Sequence, residues 1–531
     1  MPGTGADQVV DALIDAGVKH LFTLSGNQIL SVYDAAIGRD IRLIHTRHEA
    51  AAVHMADGWG RLTEGPGVAL LTAGPGHLNG LSALYVAQMA ESPVVLLSGH
   101  CPHAQIGSGA FQEVDQVAAA GPVTKGSWLV EDPGRLGAEV AAALSLSRTG
   151  RPGPVHLSLP ADALEALVSA PSEPPSAAEP DTTGIDDARI DHTLALLAGA
   201  NHPLILAGPA MGRPLRWPDV ERLSQITGIP ALPMESPRGV NDPWLHTAAT
   251  CLADADLVLL VGKKLDFSLR FGRPPFFSET CRFIQIDADE EQLRKDERVV
   301  LTLHSDPTPV VRQLTAAALA QTRQPGAWRE KVAEARSTTP PEWEHLRQAS
   351  HQPIHPLRVC EALQPFLNDG VFISDGGEFG QWAQAGLEAR CRLINGPSGA
   401  IGSALPMALA AKLAHPQRQV FVLLGDGTFG YHALELDTAL RYALPIIVIV
   451  GNDARWNAEH QLQVQNYGPD RTIGCDLLPS RYDKVAEALG AHGEFVQRPE
   501  DLAPALERAV VSALPACVNI AIESVPAPTF R

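Results

Sequence analysis

Short apolar runs alternate with longer segments of helical periodicity along most of the chain. Three of these runs are PVVLLSG at 93–99, VFVLLG at 420–425 and PIIVIV at 445–450. Runs of this length are typical of buried strands, and they fall far short of the roughly 20 apolar residues that cross a bilayer. Because strands alternate with helices, the pattern predicts an α/β protein with parallel sheets.

Two segments rich in proline, serine and threonine interrupt this alternation. PSEPPSAAEPDTT covers 171–183, and STTPPEWEHLRQASHQPIHP covers 337–356. Such composition is typical of linkers. The two linkers divide the 531 residues into predicted domains at 1–170, 185–335 and 355–531.

The first and last thirds share a spacing of motifs. Gly74 and Pro93 are 19 residues apart, and Gly425 and Pro445 are 20 residues apart. Upstream, GVKHLFTLSGN from residue 17 corresponds to GVFISDGGEF from residue 370. Agreement over about 75 residues predicts a duplicated fold.

The middle third has strand signals of its own, in HPLILAGPAMG, ADLVLLVGKKLDF and CRFIQIDADEEQL. They indicate three buried strands, the last ending in carboxylates, as in a doubly wound nucleotide-type domain. The predicted fold class is therefore α/β, with three consecutive doubly wound parallel-sheet domains.

Composition and charge exclude several classes of protein. The formal net charge is −19, and a field of this sign repels nucleic-acid phosphates and anionic lipids. The seven cysteines contain no C-x-x-C pair, which argues against structural zinc and a disulfide framework. The start, MPGTGADQVVDALIDAG, lacks the basic region and the apolar core that follow each other in a signal peptide. We expect a cytoplasmic protein that binds neither nucleic acid nor membrane.

Carboxylates follow two strands of the last third. VFVLLG ends in Gly425-Asp426-Gly427 before a helix, and PIIVIV is followed by Gly451-Asn452-Asp453. The glycines allow a tight turn close to a ligand, and the helix offers free N–H groups to a phosphate. Adjacent strand ends bring Asp426 and Asp453 together, which favours Mg²⁺ with a diphosphate.

The spacing from Asp426 to Asn452-Asp453, 26 and 27 residues, resembles the GDG…NN signature of thiamine diphosphate enzymes. TRHEAAAVHMADGWGR, TAGPGHLN and AQMAESPVVLLSG resemble the pyrimidine-binding domain of the acetolactate synthase group. GAIGSALPMALAAKLAHP resembles its diphosphate domain. The resemblance covers nearly the whole chain. It implies pyrimidine-binding, central and diphosphate-binding domains in that order, with thiamine diphosphate and Mg²⁺ as cofactors.

By this resemblance, Mg²⁺ is held by the side chains of Asp426 and Asp453 and by the main-chain carbonyl of Arg455. Asp453 replaces the usual second asparagine, which keeps an oxygen ligand and adds a negative charge. A second departure is the string DGGEF at 375–379, where acetolactate synthases place a Gln-His pair. This string and GNDARW resemble more closely the 2-hydroxyacyl-CoA lyases related to acetolactate synthase.

The resemblance also implies catalytic roles. In the family a glutamate at the position of Glu49 hydrogen-bonds the aminopyrimidine of the cofactor, and a bulky apolar residue at the position of Ile401 bends the cofactor. Gln112 and Lys125 match positions that line the substrate channel. The remaining implied cofactor contacts are Asn27, Asn79, Glu378, Phe379, Ala400, Gly425, Gly427 and Asn452.

The ligand of the central domain stays open. The relatives bind FAD, ADP or CoA there, but Gly208-Pro209-Ala210 replaces the glycine triplet expected at a flavin. A purely structural domain is equally compatible with the sequence.

The predicted function is acetolactate synthase-like decarboxylation and carboligation of a 2-oxo acid. The alternatives are a 2-hydroxyacyl-CoA lyase, which acts on acyl-CoA thioesters and aldehydes, and a non-catalytic cofactor-binding regulator. Related enzymes are homodimers or homotetramers with active sites shared between subunits, and we expect the same here.

Overall fold

The computed structural model describes residues 3–63, 65–168, 184–293, 296–319 and 326–530. The chain forms two compact units. The first consists of Met1–Pro180, Leu405–Pro416 and His432–Leu444, and the second consists of Asp181–Ala404, Gln417–Tyr431 and Pro445–Arg531. No helix among the described residues is both long and apolar enough to cross a membrane.

The first unit is built on a six-stranded parallel sheet with the order β3-β2-β4-β5-β7-β6, and β1 pairs antiparallel with β8. The strands are β1 Gly3–Thr4, β2 His20–Thr23, β3 Arg42–His45, β4 Gly67–Leu71, β5 Val94–His100, β6 Ser127–Leu129, β7 Val155–Pro160 and β8 Leu167–Val168. The helices of the first third are α1 Gly5–Asp15, α2 Leu30–Ala35, α3 Glu49–Thr63, α4 Pro75–Met89, α5 Gln116–Ala120, α6 Leu136–Arg148 and α7 Ala161–Glu165.

Small residues let α3 lie very close to its neighbours. The sequence EAAAVHMADGWG makes this helix almost wholly buried. A Cβ built on Gly58 would lie 3.0 Å from the Cα of Met407, and one on Gly60 would lie 2.7 Å from the carbonyl oxygen of Pro93. Tight packing on both sides fixes the helix that begins at Glu49.

The second unit contains two parallel sheets. The central sheet has the order β10-β9-β11-β12-β13, and the C-terminal sheet has the order β15-β14-β16-β17-β19-β18. Their strands are β9 Pro203–Ala207, β10 Ala231–Pro233, β11 Leu257–Val261, β12 Arg282–Asp287, β13 Val299–His304, β14 Val371–Ser374, β15 Cys391–Ile394, β16 Val420–Gly425, β17 Ile447–Asn452, β18 His492–Val496 and β19 Ala516–Ala521.

The remaining helices connect these strands, except that nearly all of α15 and the whole of α17 belong to the first unit. They are α8 Asp187–Gly199, α9 Trp217–Thr227, α10 Pro307–Ala318, α11 Ala327–Ser337, α12 Glu342–Arg347, α13 Pro356–Leu363, α14 Gly377–Gly386, α15 Ala404–Ala414, α16 Asp426–His432, α17 Glu435–Arg441, α18 Asn457–Tyr467, α19 Tyr482–Leu489 and α20 Leu502–Val511.

The predicted duplication is confirmed by the topology. When the six strands of each large sheet are counted in chain order, both sheets follow the order 2-1-3-4-6-5. The matched motifs occupy equivalent places, with β2 corresponding to β14, β4 to β16 and β5 to β17. The predicted class, three parallel-sheet α/β domains, is therefore confirmed.

One predicted linker contains more structure than its composition indicates. The segment 337–356 includes α12, and its Trp343 is only 3% exposed. The Trp343 ring lies 5.5 Å from that of Trp382 and 5.7 Å from that of Phe530. Burial of this aromatic side chain gives the segment a place in the core. The other linker, 171–183, lies outside the described residues.

The close contact of β4 with α3 generates a prediction about stability. A Cβ built on Gly67 would lie 1.9 Å from the carbonyl oxygen of Ala56, so the backbone must move to accept it. Gly67→Ala should lower the free energy of unfolding by about 1–3 kcal/mol, the usual cost of overpacking. Gly121→Ala is the matched control, because nothing lies within 4 Å of that position. Equal unfolding midpoints in denaturant for both variants would contradict the prediction.

Candidate active site

A cavity of about 280 Å³ opens at the carboxyl ends of β14, β16 and β17, within the second unit. It brings together most of the residues predicted for the diphosphate site. The predicted cofactor contacts in its wall are Glu378, Phe379, Ile401, Gly425 and Gly427. The three predicted metal ligands, Asp426, Asp453 and Arg455, also line it.

The buried carboxylate of Asp426 and the partly buried carboxylate of Asp453 both line this cavity. β16 and β17 are parallel neighbours with Gly425 opposite Gly451, so Asp426 and Asp453 follow at the same edge. Burial, with the negative charge of Asp453, raises the pKa of Asp426 to about 7. Burial likewise raises the pKa of Asp453 to about 6. The Oδ2 atom of Asp426 has no hydrogen-bond partner among the described residues. The pair therefore suits a cation.

A tight turn presents Asp453 and Arg455. Ala454 has a φ of +56°, and its N–H donates to Oδ1 of Asn452 at 3.2 Å. The amide of Asn452 donates to the carbonyl of Ser480 at 2.9 Å. Asn452 thus shapes the turn through protein contacts. The guanidinium of Arg455 pairs with Asp476 at 3.2 Å, an arrangement compatible with the predicted role of the Arg455 carbonyl.

Three helices begin at the cavity wall. α14 begins at Gly377, α16 at Asp426 and α18 at Asn457. Their free N–H groups favour an anion. Gly377 has a φ of +83°, and the space where its Cβ would stand is open. The wall therefore fits a diphosphate held close to the main chain.

The loop that carries Ile401 is held by a buried carboxylate that sequence reasoning did not single out. Asp375, fully buried at the end of β14, accepts N–H groups from Gly376 at 2.8 Å, Gly402 at 3.0 Å and Ala404 at 2.9 Å. Burial raises the pKa of Asp375 to about 6. A Cβ on Gly376 would lie 2.9 Å from Cγ2 of Ile401, so the Ile401 side chain packs against the turn after Asp375.

Two other predicted cofactor contacts have protein partners. The carbonyl of Ala400 accepts a hydrogen bond from the Asn395 amide at 2.8 Å. The carboxylate of Glu378 accepts the N–H of Ala527 and lies 3.7 Å from the Arg238 guanidinium. Burial raises the pKa of Glu378. Glu378 thus joins the cavity wall to the C-terminal segment.

Glu49 lies at the carboxyl edge of the sheet in the first unit. Its carboxylate accepts a hydrogen bond from the Asn79 amide at 3.0 Å. A Cβ on Gly76 would lie 3.6 Å from Oε1 of Glu49 and 2.6 Å from Cγ2 of Thr72. The structure therefore brings Glu49 and Asn79 together beside the glycine turn at the start of α4.

Asn27 begins a short 3₁₀ helix and Gln112 lies in a loop, and both segments contact the same turn. Asn27 is exposed beside Gln28, whose side chain accepts the Thr72 hydroxyl at 2.6 Å. Gln112 has a φ of +60°, and its carbonyl oxygen would lie 2.4 Å from a Cβ on Gly74. The strained backbone of Gln112 is compatible with a functional loop.

Lys125 is placed differently. Its Nζ donates to the carbonyls of Leu146 at 2.6 Å and Thr149 at 2.5 Å, at the end of α6. A cation in this position satisfies carbonyl groups at a helix C-terminus. The catalytic role stays a prediction, to which these contacts add no support.

A second cavity of about 320 Å³ shares Pro237 and Arg238 with the first. Its wall also contains Arg270, Phe267 and Phe530. Arg270 has a φ of +50° and Phe271 a φ of +54°. Two consecutive non-glycine residues in the left-handed region indicate backbone strain beside this cavity.

In the central domain, Gly208 follows β9. A Cβ built there would lie 2.0 Å from the carbonyl oxygen of Gly262, which follows β11. The glycine of the Gly-Pro-Ala string is therefore needed for close packing of two strand ends.

Comparisons with known proteins agree with this geometry. Family models for the N-terminal TPP binding domain, the central domain and the C-terminal TPP binding domain of thiamine pyrophosphate enzymes match residues 3–119, 190–314 and 375–520. The chain is 36% identical over 523 residues to acetolactate synthase large subunit IlvG of Mycobacterium tuberculosis, covering 95% of this chain and 93% of that protein.

Lyases are also similar along nearly their whole length. The chain is 31% identical over 553 residues to a 2-hydroxyacyl-CoA lyase of Oryza sativa subsp. japonica, covering 96% of this chain and 94% of that protein. It is 30% identical over 546 residues to 2-hydroxyacyl-CoA lyase 2 of Homo sapiens, covering 93% and 85%. The predicted resemblance is confirmed: the chain belongs to the thiamine pyrophosphate enzyme family and is a thiamine diphosphate-dependent enzyme.

Proposed function

We propose that this enzyme uses thiamine diphosphate and Mg²⁺ to decarboxylate a 2-oxo acid and join the remaining fragment to an acceptor carbonyl, as an acetolactate synthase does. The observation that carries the proposal is the pair of carboxylates, Asp426 and Asp453, with raised pKa values in a glycine-lined cavity. The similarity to the Mycobacterium tuberculosis acetolactate synthase subunit supports this choice of reaction.

The residues of the cavity fit the cofactor. Asp426, Asp453 and the carbonyl of Arg455 would hold Mg²⁺, since the unsatisfied Asp426 oxygen needs a cation. The N-termini of α14, α16 and α18 would accept the diphosphate oxygens. Thiamine diphosphate supplies a centre that stabilises the negative charge left when a bond to a carbonyl carbon breaks.

Glu49 and Ile401 have separate roles in the proposed reaction. Glu49 would share a proton with the aminopyrimidine ring nitrogen of a bound cofactor, and the Asn79 amide, 3.0 Å from its carboxylate, orients it. Ile401 lies in the wall of the cavity, where its apolar side chain would contact the cofactor and exclude water.

A 2-hydroxyacyl-CoA lyase is the second candidate, and the second cavity favours it. Arg238 and Arg270 offer two guanidinium groups to a phosphate or carboxylate, and Phe267 and Phe530 offer apolar surface. A cavity of this kind suits an anionic substrate larger than a short 2-oxo acid.

Product analysis separates the two reactions. With pyruvate, thiamine diphosphate and Mg²⁺, the first reaction yields CO₂ and acetolactate. With a 2-hydroxyacyl-CoA, the second yields formyl-CoA and an aldehyde. Formation of formyl-CoA without acetolactate would replace the first proposal by the second.

Protons should compete with Mg²⁺ for the carboxylates. Because burial raises the pKa of Asp426 to about 7 and that of Asp453 to about 6, both are partly protonated below neutral pH, and metal binding requires the ionised forms. We expect the affinity for Mg²⁺ with thiamine diphosphate to rise as the pH increases from 6 to 8, as calorimetry would measure.

The variant Asp453→Asn provides the control for this titration. It keeps an oxygen ligand and removes the charge that helps to raise the pKa of Asp426. The increase in affinity should then be shallower and shift to lower pH. An affinity that does not change between pH 6 and 8 in the unmodified chain would contradict the assignment.

Removal of the Glu49 carboxylate should leave folding and cofactor affinity nearly unchanged but slow turnover. We expect Glu49→Gln to lower the rate at least ~10²-fold, the scale on which positioned acid–base groups act. Proton exchange at C2 of the thiazolium ring, followed by NMR, measures this directly. Glu139→Gln is a matched control, since Glu139 also lies in the first turn of a helix. Unchanged exchange in Glu49→Gln would refute the role.

We also propose a homodimer or homotetramer in which each active site takes Glu49 from one subunit and the Asp426–Asp453 pair from another. The experiment mixes Glu49→Gln and Asp426→Ala subunits after dissociation. If sites are shared, each heterodimer has one intact site and should show about half of wild-type activity. If each chain forms its own site, no mixture recovers activity. As the control, each variant alone is dissociated and reassociated in the same way.

A further inference from the structure

Glu435, the first residue of α17, carries a buried carboxylate that the proposed chemistry does not use. It belongs to the same compact unit as Glu49 and is 1% exposed. Its Oε1 accepts the N–H of Arg47 at 2.9 Å, and its Oε2 accepts the hydroxyl of Thr438 at 2.6 Å. The N–H of His48 also donates to this carboxylate.

These contacts hold the loop that leads into α3. The helix begins at Glu49, and N–H groups at a helix N-terminus need an acceptor outside the helix. Thr46, three residues before Glu49, uses its hydroxyl as a donor, to the carbonyl of His48 at 2.9 Å. His48, the residue before the helix, supplies the cap, since its Nδ1 accepts the N–H of Ala50 at 3.1 Å. Glu435, 388 residues from Arg47 in the chain, accepts the N–H of Arg47 and so holds the loop that carries this cap.

The end of α17 holds the same loop at a second point. The hydroxyl of Tyr442 accepts the N–H of His45 at 2.7 Å. The guanidinium of Arg441 donates to the carbonyl of His45 at 2.6 Å. Main-chain groups of His45, Arg47 and His48 are thus fixed by one short segment, and Glu49 is the next residue.

We propose that Glu435 is a positioning residue, which fixes the start of α3 so that the Glu49 carboxylate keeps its orientation toward the cofactor. The inference rests on the proposed role of Glu49. Glu435 acts through hydrogen bonds to Arg47 and His48, and Asn79 restrains the Glu49 carboxylate itself at 3.0 Å.

Two variants separate hydrogen bonding from other effects. Glu435→Ala removes every acceptor. Glu435→Gln keeps an oxygen for the Arg47 N–H, and its amide can donate to the Thr438 hydroxyl. We expect C2 proton exchange to fall at least about tenfold in Glu435→Ala and to stay within about threefold of wild type in Glu435→Gln. Equal loss in both variants would overturn the proposal.

Hydrogen exchange of the cofactor-free chain gives a readout apart from activity. The amides of Arg47 and His48 should exchange at least about tenfold faster in Glu435→Ala, because their acceptor is gone. Thr4→Ala is the control, since Thr4 caps α1 in the same unit. It should speed exchange at α1 and leave C2 exchange unchanged. Unchanged exchange at Arg47 and His48 in Glu435→Ala would refute the proposal.

A double-mutant cycle tests whether Glu435 acts through Glu49. Adding Glu435→Ala to Glu49→Gln should lower C2 exchange no further, since the carboxylate to be positioned is already absent. Additive losses would overturn the positioning role. Lack of catalysed exchange in the wild-type chain would instead refute the proposed function, while amide exchange at Arg47 and His48 still reports on Glu435.

Discussion

The burial of two carboxylates at adjacent strand ends is the constraint on which the active site depends. The parallel register of β16 and β17 brings Asp426 and Asp453 to one edge, where neither meets a basic partner strong enough to keep its pKa at the usual value. A buried, unsatisfied carboxylate is costly unless a cation binds. A cation then attracts an anion, and three helix N-termini and open glycine positions surround the place where the anion would lie.

Duplication of one topology gives the protein two sheet edges with different chemistry. In the first unit the carboxyl edge presents Glu49 and Asn79, and in the second it presents the carboxylate pair. The division into two compact units does not follow the order of the chain. α17, from the last third, belongs to the first unit and holds the loop before Glu49. Duplicated folds can diverge at strand ends because these residues are not needed for the core.

The sequence was sufficient to predict the fold class and the residues at the carboxyl ends of strands. Apolar runs followed by glycine identify strand ends, which leads to Asp426 and Asp453 as predicted site residues, and the resemblance adds Glu49. Local hydrogen bonds were not predictable from the sequence. The amide of Asn452 donates to a main-chain carbonyl, and the carbonyl of Ala400 accepts from a side-chain amide, although both residues were predicted only as cofactor contacts. Long-range contacts were also missed. The string DGGEF contains Asp375 but does not reveal its partners, which lie 27 to 29 residues away, and the partner of Glu435 lies 388 residues away.

Hydrogen bonding separates two kinds of buried carboxylate in this protein. Asp375 accepts main-chain N–H groups from the loop that carries Ile401, and Glu435 accepts them from the loop that precedes Glu49. An acid satisfied in this way rigidifies the main chain and has little capacity left for a ligand. Asp426 is as deeply buried, but one oxygen has no partner among the described residues. Burial alone therefore does not mark the proposed metal site. An unsatisfied oxygen at a strand end supports it.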